Sequence, residues 1–227
     1  MTAPVTISVA TFGDEKWADI ARRRAIPSAE SFGVPVLHVH GETLHDARNE
    51  ALQRVETDFV IQLDADDELA PGYVDAMLAG TCDVRVPWVS YVKPMKSIRV
   101  PARASDPMRW YVWGHHEPGG CAAACLAEGN WCPVGSMVRT DLARRVGWRD
   151  WPMWEDYDFW CRVWQAGGTF EWAAGAVYRY WVGRTDNRNK TLDFEGRKAL
   201  HMLMAAANGL PAPDYTDRGI ERWRRRK

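Results

Sequence analysis

Asp58 to Leu63 is a short, mostly apolar run that ends without transition in Asp64-Ala65-Asp66-Asp67. A strand that apolar is buried on both faces, so helices must cover it from either side, and the chain belongs to the α/β class. The segments before it follow the same rhythm. Val5, Ile7 and Val9 alternate with Thr6, Ser8 and Ala10 in a strand that closes at Thr11-Phe12-Gly13-Asp14. A helix is expected over Lys16 to Arg24, and a second strand over Val34 to Val39, closed by His40-Gly41. Thr43-Leu44-His45-Asp46 reads as a capping box, opening a helix with Ala47, Ala51, Leu52 and Val55 on one face. Pro71 suits the first turn of a short helix that runs to Leu78 and stops at Gly80. Strand, helix, strand, helix, strand implies a parallel sheet with right-handed crossovers. Thr11 to Asp14, His40 to Glu42 and Asp64 to Asp67 then share one rim at the carboxyl ends of the strands, where such sheets bind ligands.

The second half has a different texture. Asp83 to Val92 reads as a strand, followed by a Pro- and Arg-rich excursion from Pro94 to Pro107 and an aperiodic stretch over 108–133. Order resumes with a strand near Met137, a helix from Asp141 to Val146 and a stop at Gly147. A loop holding Trp148, Trp151 and Trp154 leads into a helix from about Glu155 to Gln165. Strands over Thr169 to Ala173 and Val177 to Val182 follow, then a helix over Leu192 to Ala207. No stretch has the composition of an interdomain linker. The 227 residues are therefore read as one domain over 1–210, with a nucleotide-binding half at about 1–92, a substrate-binding half at about 93–210 and a basic tail at 211–227.

Composition narrows the function classes. Lys plus Arg, 29, nearly cancels Asp plus Glu, 30, so no basic field exists to hold nucleic acid through its phosphates. The longest apolar runs fall far short of the ~20 residues of a membrane span, and the N-terminus has no basic n-region and meets Asp14, Glu15 and Lys16 early, so it does not read as a signal peptide. A cytoplasmic location is expected. The 5 cysteines are too sparse for a disulfide framework and read as reduced thiols. His115, His116, Cys121, Cys125 and Cys132 lie close in sequence, but their spacing lacks the paired knuckles of structural zinc, and none is expected. His116 reads instead as a sugar-contacting residue. The tail, ending Arg222-Trp223-Arg224-Arg225-Arg226-Lys227, reads as solvated, with weak contact to an anionic membrane surface as its alternative. The 13 tryptophans serve packing first and sugar stacking second.

Two clusters carry chemistry. Asp64, Asp66 and Asp67 repel one another, and a divalent cation among them relieves that repulsion. Mg²⁺ or Mn²⁺ takes oxygen ligands and keeps positions open for phosphate oxygens. The bland alternative is an acidic turn serving the dipole of the next helix. Further on, Glu155-Asp156-Tyr157-Asp158-Phe159-Trp160 places two carboxylates at a helix start beside aromatic residues, a setting for a general base or simply for first-turn charges.

Ala47-Arg48-Asn49-Glu50-Ala51, then Asp58, Leu63-Asp64-Ala65-Asp66-Asp67 and Pro71, resemble a block of the inverting glycosyltransferases of family 2, which have a GT-A fold. Pro133 to Arg139 is similar to that family's acceptor-side strand, and Gly147-Trp148, Glu155 to Val163 and Gly167-Gly168 are similar to its last block. The resemblance spans roughly residues 5 to 185 and includes short stand-alone members, some encoded by bacteriophages. It implies a Rossmann-like, mixed and mostly parallel sheet flanked by helices, and transfer of a sugar from a nucleotide diphosphate to a hydroxyl of a glycan, lipid or protein. It gives Thr11 and Arg48 to the base and ribose, Asp64 to the ribose and the metal, Asp66 to the Mn²⁺ or Mg²⁺ that bridges the diphosphate, and Asp156 to the proton of the acceptor, with Glu155 beside it. UDP is the default nucleotide. The chain departs from the pattern at Ala10-Thr11-Phe12-Gly13, where the family shows Pro-Thr-Tyr-Asn, and at His40-Gly41-Glu42, where it shows a carboxylate pair. A late His is replaced by Trp181-Val182-Gly183-Arg184, so Arg184 or Arg188 is the expected phosphate cation. Two other classes stay open, a nucleotidyltransferase acting on a sugar phosphate, which shares the nucleotide half of the fold, and a sugar-binding module that has lost turnover. The first has less use for a base at Asp156, and the second would bind free sugar without metal or nucleotide.

Overall fold

The computed structural model describes residues 4–92, 132–181, 192–210 and 213. Its frame is a seven-stranded sheet. The front half runs β1 (Val5–Phe12), α1 (Lys16–Arg23), α2 (Ala25–Glu30), β2 (Val36–Gly41), α3 (Leu44–Arg54) and β3 (Phe59–Asp64). After the acidic turn come β4 (Glu68–Leu69), α4 (Tyr73–Leu78) and β5 (Val84–Val92). The described back half holds β6 (Met137–Arg139), α5 (Thr140–Val146), α6 (Glu155–Gln165), β7 (Phe170–Trp181) and α7 (Phe194–Ala207). The strand order is β2-β1-β3-β6-β5-β7-β4.

The expected mixed sheet is present. β1 pairs parallel with β2 and β3, and β5 pairs parallel with β7. β6 runs antiparallel between β3 and β5, and β4 antiparallel along β7. Alternation along β1 explains its two helix layers. Val5, Ile7 and Val9 join the large core cluster with Ala21, Ala25 and Ala29 of α1 and α2, whereas Ala10 joins a smaller cluster with Val39, Ala47 and Ala51. Register aligns the strand ends: Thr11 lies opposite His40, Phe12 opposite Gly41, and Ala10 opposite Asp64. The three segments expected on one rim are there.

Several local details differ from the sequence reading. Thr169 to Ala173 and Val177 to Val182 were expected as two strands, but β7 is one strand of 12 residues. Its register on β5 jumps from Val86–Trp172 to Trp88–Val177, and Gly175 at φ 92° absorbs the irregularity. The second strand starts later than Val34, and α4 starts at Tyr73 because Gly72, at φ 78°, is its cap. Thr43 caps α3 as expected, accepting the Asp46 N–H at 3.2 Å, but its hydroxyl donates to the Asp46 carboxylate at 2.7 Å. α2 and β4 are additional elements. The His115 to Cys125 cluster, Arg184, Arg188 and the basic tail lie outside the described residues. Cys82, Cys132 and Cys161 are free thiols, and no helix among the described residues is long and apolar enough to cross a membrane.

The turn before β6 ties this frame to the acidic turn. Tyr73 donates its hydroxyl to the Gly135 carbonyl at 2.7 Å, and a β-carbon on Gly135 would run into the ring of Tyr178. Gly135→Ala is therefore expected to overpack a buried aromatic site and cost about 1–3 kcal/mol of stability. Urea denaturation measures it, and an unchanged midpoint would show that the ring has room.

Candidate active site

Arg48 is the centre of the rim. α3 carries it inward on the face next to Ala47 and Ala51, and it is 2% exposed. Its guanidinium donates to Asp64 Oδ1 at 2.9 Å and to Glu155 Oε1 at 2.9 Å. It also lies over the ring of Trp148, 4.3 Å from the centroid, and that ring stacks on Phe159 at 4.1 Å. Burial works against the charge, but Glu155, Asp64 and Asp156 outweigh it and hold the guanidinium above its ordinary pKa. One cation thereby joins the end of β3 to the start of α6, 107 positions apart in sequence from Arg48 to Glu155.

The neighbouring Asn49 fixes the loop that supplies Trp148. Its amide donates to the Trp148 carbonyl at 2.9 Å and accepts the Trp148 N–H at 2.7 Å. Gly147, at φ 64°, provides the left-handed turn that this docking needs. Farther along the loop, Trp154 caps α6 at φ 59°, the one non-glycine with positive φ among the described residues. Such a backbone costs of order 1–3 kcal/mol and persists only where packing determines it. Here His201 of α7 meets both Trp154 and Tyr157 edge-on, with ring centroids at 6.0 and 5.2 Å. The strained residue directly precedes Glu155 and Asp156, so packing beneath it aims both carboxylates.

The three carboxylates of the acidic turn have separate environments. Asp64 faces Arg48. Asp66 is half-buried, and its carbonyl accepts from Arg24 at 2.6 Å. Asp67 is 1% exposed, accepting from the Tyr178 hydroxyl at 2.7 Å and the Trp181 N–H at 2.8 Å. Burial first, then Asp66 and Asp64, pushes its pKa well above the usual carboxylate range. Asp67 is thus the latch that docks the turn on β7. The remaining pair suits an ion that arrives with its ligand. No group of three or more His, Cys, Asp or Glu among the described residues could hold a metal alone. Mg²⁺-type sites commonly combine one or two carboxylates with substrate phosphates, and Asp66 with Asp64 meets that pattern.

Thr11 is 1% exposed, with its hydroxyl 2.9 Å from both His38 Nε2 and His40 Nδ1. It orders the imidazoles at the end of β2, and Phe12 is the residue of this strand that lines a cavity. That cavity, about 160 Å³, has Phe12, Leu44 and Trp151 as apolar walls, with Glu42, Arg149 and Glu155 among its polar ones. His45, also on its wall, lies 3.5 Å from Asp150 and so joins the start of α3 to the Trp-rich loop. Of the six residues predicted for the site, the structure directly joins Arg48, Asp64 and Glu155. Asp156 adjoins them at the start of α6, Asp66 sits two residues past Asp64, and Thr11 faces β2. Sequence reasoning missed Asn49, Phe12, Trp151 and the latch role of Asp67. Asn49 carried a signal in its place beside Arg48, and Phe12 and Trp151 in theirs at the end of β1 and in the Trp-rich loop, whereas the role of Asp67 carried none.

Comparison with known proteins agrees with this fold. Residues 17–120 match the family model described as Glycosyl transferase family 2. Among solved structures, the chain is similar to S. aureus TarS 1-349 in complex with UDP-GlcNAc, at 14% identity and a TM-score of 0.58, over 96% of this chain and 69% of that one. It is also similar to TarS 1-349 alone, at 14% identity, TM-score 0.54 and coverage of 96% and 68%. The same fragment in complex with UDP gives 15% identity, TM-score 0.52 and coverage of 96% and 68%. At these identities the likeness is one of fold. No curated protein matches the chain by sequence.

Two outcomes follow from the buried groups. Arg48→Met leaves Asp64 and Glu155 without their cation and should cost about 3–5 kcal/mol at neutral pH. Equal stability of variant and wild type in chemical denaturation would contradict the bridge. Burial lowers His201 to a pKa of about 4 from 6.5. Between those values the unfolded chain binds a proton that the folded one refuses, so stability falls as the pH is lowered from 6.5 towards 4, by on the order of 3 kcal/mol at most. His201→Gln should flatten that part of the profile, and an unchanged slope would assign it to other groups.

Proposed function

We propose that this chain, whose residues 17–120 match the family model of glycosyl transferase family 2, is a member of that family and transfers a sugar from a nucleotide diphosphate to an acceptor hydroxyl with inversion at the anomeric carbon. The observation that carries the reading is the Arg48 bridge, which holds the end of β3 and the start of α6 on one rim. Donor-side and acceptor-side carboxylates must flank one reacting centre in such a transfer, and this is the arrangement it needs.

In this reading the nucleotide lies along the rim with its base in the cavity walled by Phe12 and Trp151, and Asp64 meets the ribose. Asp66, with Asp64, would hold Mn²⁺ or Mg²⁺ for the diphosphate. Bound there, the ion neutralises charge on the leaving diphosphate. Arg48 is buried behind Asp64 and acts by orienting the two carboxylates. Glu155 holds Arg48, and Asp156 beside it, which accepts the Tyr157 N–H at 2.9 Å, takes the proton of the acceptor hydroxyl as its oxygen attacks. The Trp-rich loop and α6 form the acceptor side, in keeping with a donor half at about 1–92 and an acceptor half at about 93–210. UDP-sugars are the first donors to test, because the solved TarS complex holds UDP-GlcNAc. Free thiols at Cys82, Cys132 and Cys161 fit the reducing cytoplasm in which the reading places the enzyme.

A thermal-shift panel of UDP-, GDP- and dTDP-sugars with and without Mn²⁺ tests the donor side. Asp66→Ala should remove the Mn²⁺-dependent stabilisation and keep the fold; unchanged UDP and Mn²⁺ binding would overturn the metal assignment. Asp156→Asn should keep donor binding and lower turnover by ~10²–10⁴. Asn also serves a helix start, so a merely structural Asp156 would give near-wild-type transfer, and a dead Glu155→Gln beside it would move the base one residue back.

A further inference from the structure

A second cavity lies on another part of the fold, between α2, β4, α4 and β7. It is an open groove of about 730 Å³, within the size range of small-molecule clefts. None of the rim residues Thr11, Arg48, Asp64, Asp66, Glu155 and Asp156 lines it. Its cationic lining is Arg23 at the end of α1, Arg24 between α1 and α2, and Arg179 on β7.

The arginines are placed without full charge compensation. Arg179 stands opposite Glu68 in the β4–β7 register, yet the Glu68 carboxylate accepts from the Trp181 indole N–H at 3.2 Å and makes no ion pair with Arg179. Among the described residues, the side chains of Arg23 and Arg179 make no hydrogen bond or ion pair. Arg24 is held in place, lying 4.1 Å from the centroid of Trp181 and donating one N–H to the Asp66 carbonyl. A preset guanidinium flanked by two uncommitted ones suits a multiply charged oxyanion, because each can donate a forked pair of hydrogen bonds. The remaining lining is apolar at Pro27, Leu69 and Val74 and acidic at Glu68 and Asp75. Carboxylates beside such a cluster repel a bare anion and accept from hydroxyl groups instead.

We propose that this groove binds a phosphate monoester carried on a hydroxyl-rich body, with the phosphate on Arg23, Arg24 and Arg179 and the hydroxyls directed to Glu68 and Asp75. The site shares no lining residue with the nucleotide rim, which Arg24 touches through the Asp66 carbonyl, and it does not depend on the reading of that rim.

Isothermal titration with glucose 6-phosphate, inorganic phosphate and glucose tests it on the full chain. Glucose 6-phosphate should bind saturably with a Kd of about 1 mM or tighter, more tightly than inorganic phosphate, and glucose should not register. The Arg23→Gln/Arg179→Gln double variant should weaken glucose 6-phosphate at least tenfold while its thermal melt stays that of the wild type, as neither side chain holds a structural bond. Asp66→Ala should bind it as the wild type does. Equal affinity in the double variant, loss of binding in Asp66→Ala, binding of glucose as tight as that of its phosphate, or no saturation by about 10 mM would each overturn the proposal. If the double variant melts early, Arg179→Gln alone is decisive by the same comparison, with a threefold or greater loss expected and an unchanged Kd contradicting it.

Discussion

A buried guanidinium requires partners, and in this fold that requirement organises the rim. Arg48 sits where water cannot solvate it, and a lone charge there would cost several kcal/mol. Asp64 and Glu155 must therefore come to it from opposite sides, and Trp148 must cover it. The bridge is weak evidence for net stability, since desolvation offsets most of the attraction. Its consequence is geometric: the end of β3 and the start of α6 cannot drift apart without exposing two half-neutralised carboxylates. The transfer proposed for this chain, with a departing diphosphate and an incoming hydroxyl held in one line, needs that kind of tie.

The rest of the site is held from behind by backbone contacts and buried side chains. Asp67 is pinned to β7 by Tyr178 and Trp181, and Gly135 leaves room for the Tyr178 ring. Asn49 grips both polar groups of the Trp148 backbone. His201 and Tyr157 support the strained Trp154 turn. Side chains that meet substrate are best placed on strand ends and helix starts whose own positions are determined by a second layer, and this molecule follows that rule.

The sequence makes the front half legible because its signals are local. Alternating Val5, Ile7 and Val9, the capping Thr43 and the apolar run into Asp64 each depend on near neighbours, and the structure keeps them at one rim. What was hidden depends on distant partners. Asp67 resembles Asp64 and Asp66 in sequence, and only the approach of β7 removes it from solvent. The resemblance gives Arg48 to the base and ribose of a nucleotide, and nothing local to it shows that α6 and the Trp148 loop close over it. β4 has two residues and exists because β7 runs alongside it, and the interruption at Ala173 to Ala176 looked like a turn because a bulge breaks the alternation in the same way. Neither could be read from periodicity, which carries no information about pairing.

A crystal structure of the protein with UDP and Mn²⁺ tests the central claim most directly, that one rim joined by Arg48 binds the donor and receives the acceptor. The account predicts the ion in contact with Asp66 and the diphosphate, the base between Phe12 and Trp151, and the Asp156 carboxylate facing the open side of the diphosphate. A nucleotide seated elsewhere on the fold, or an ion bound to the diphosphate with no ligand from the acidic turn, would contradict it.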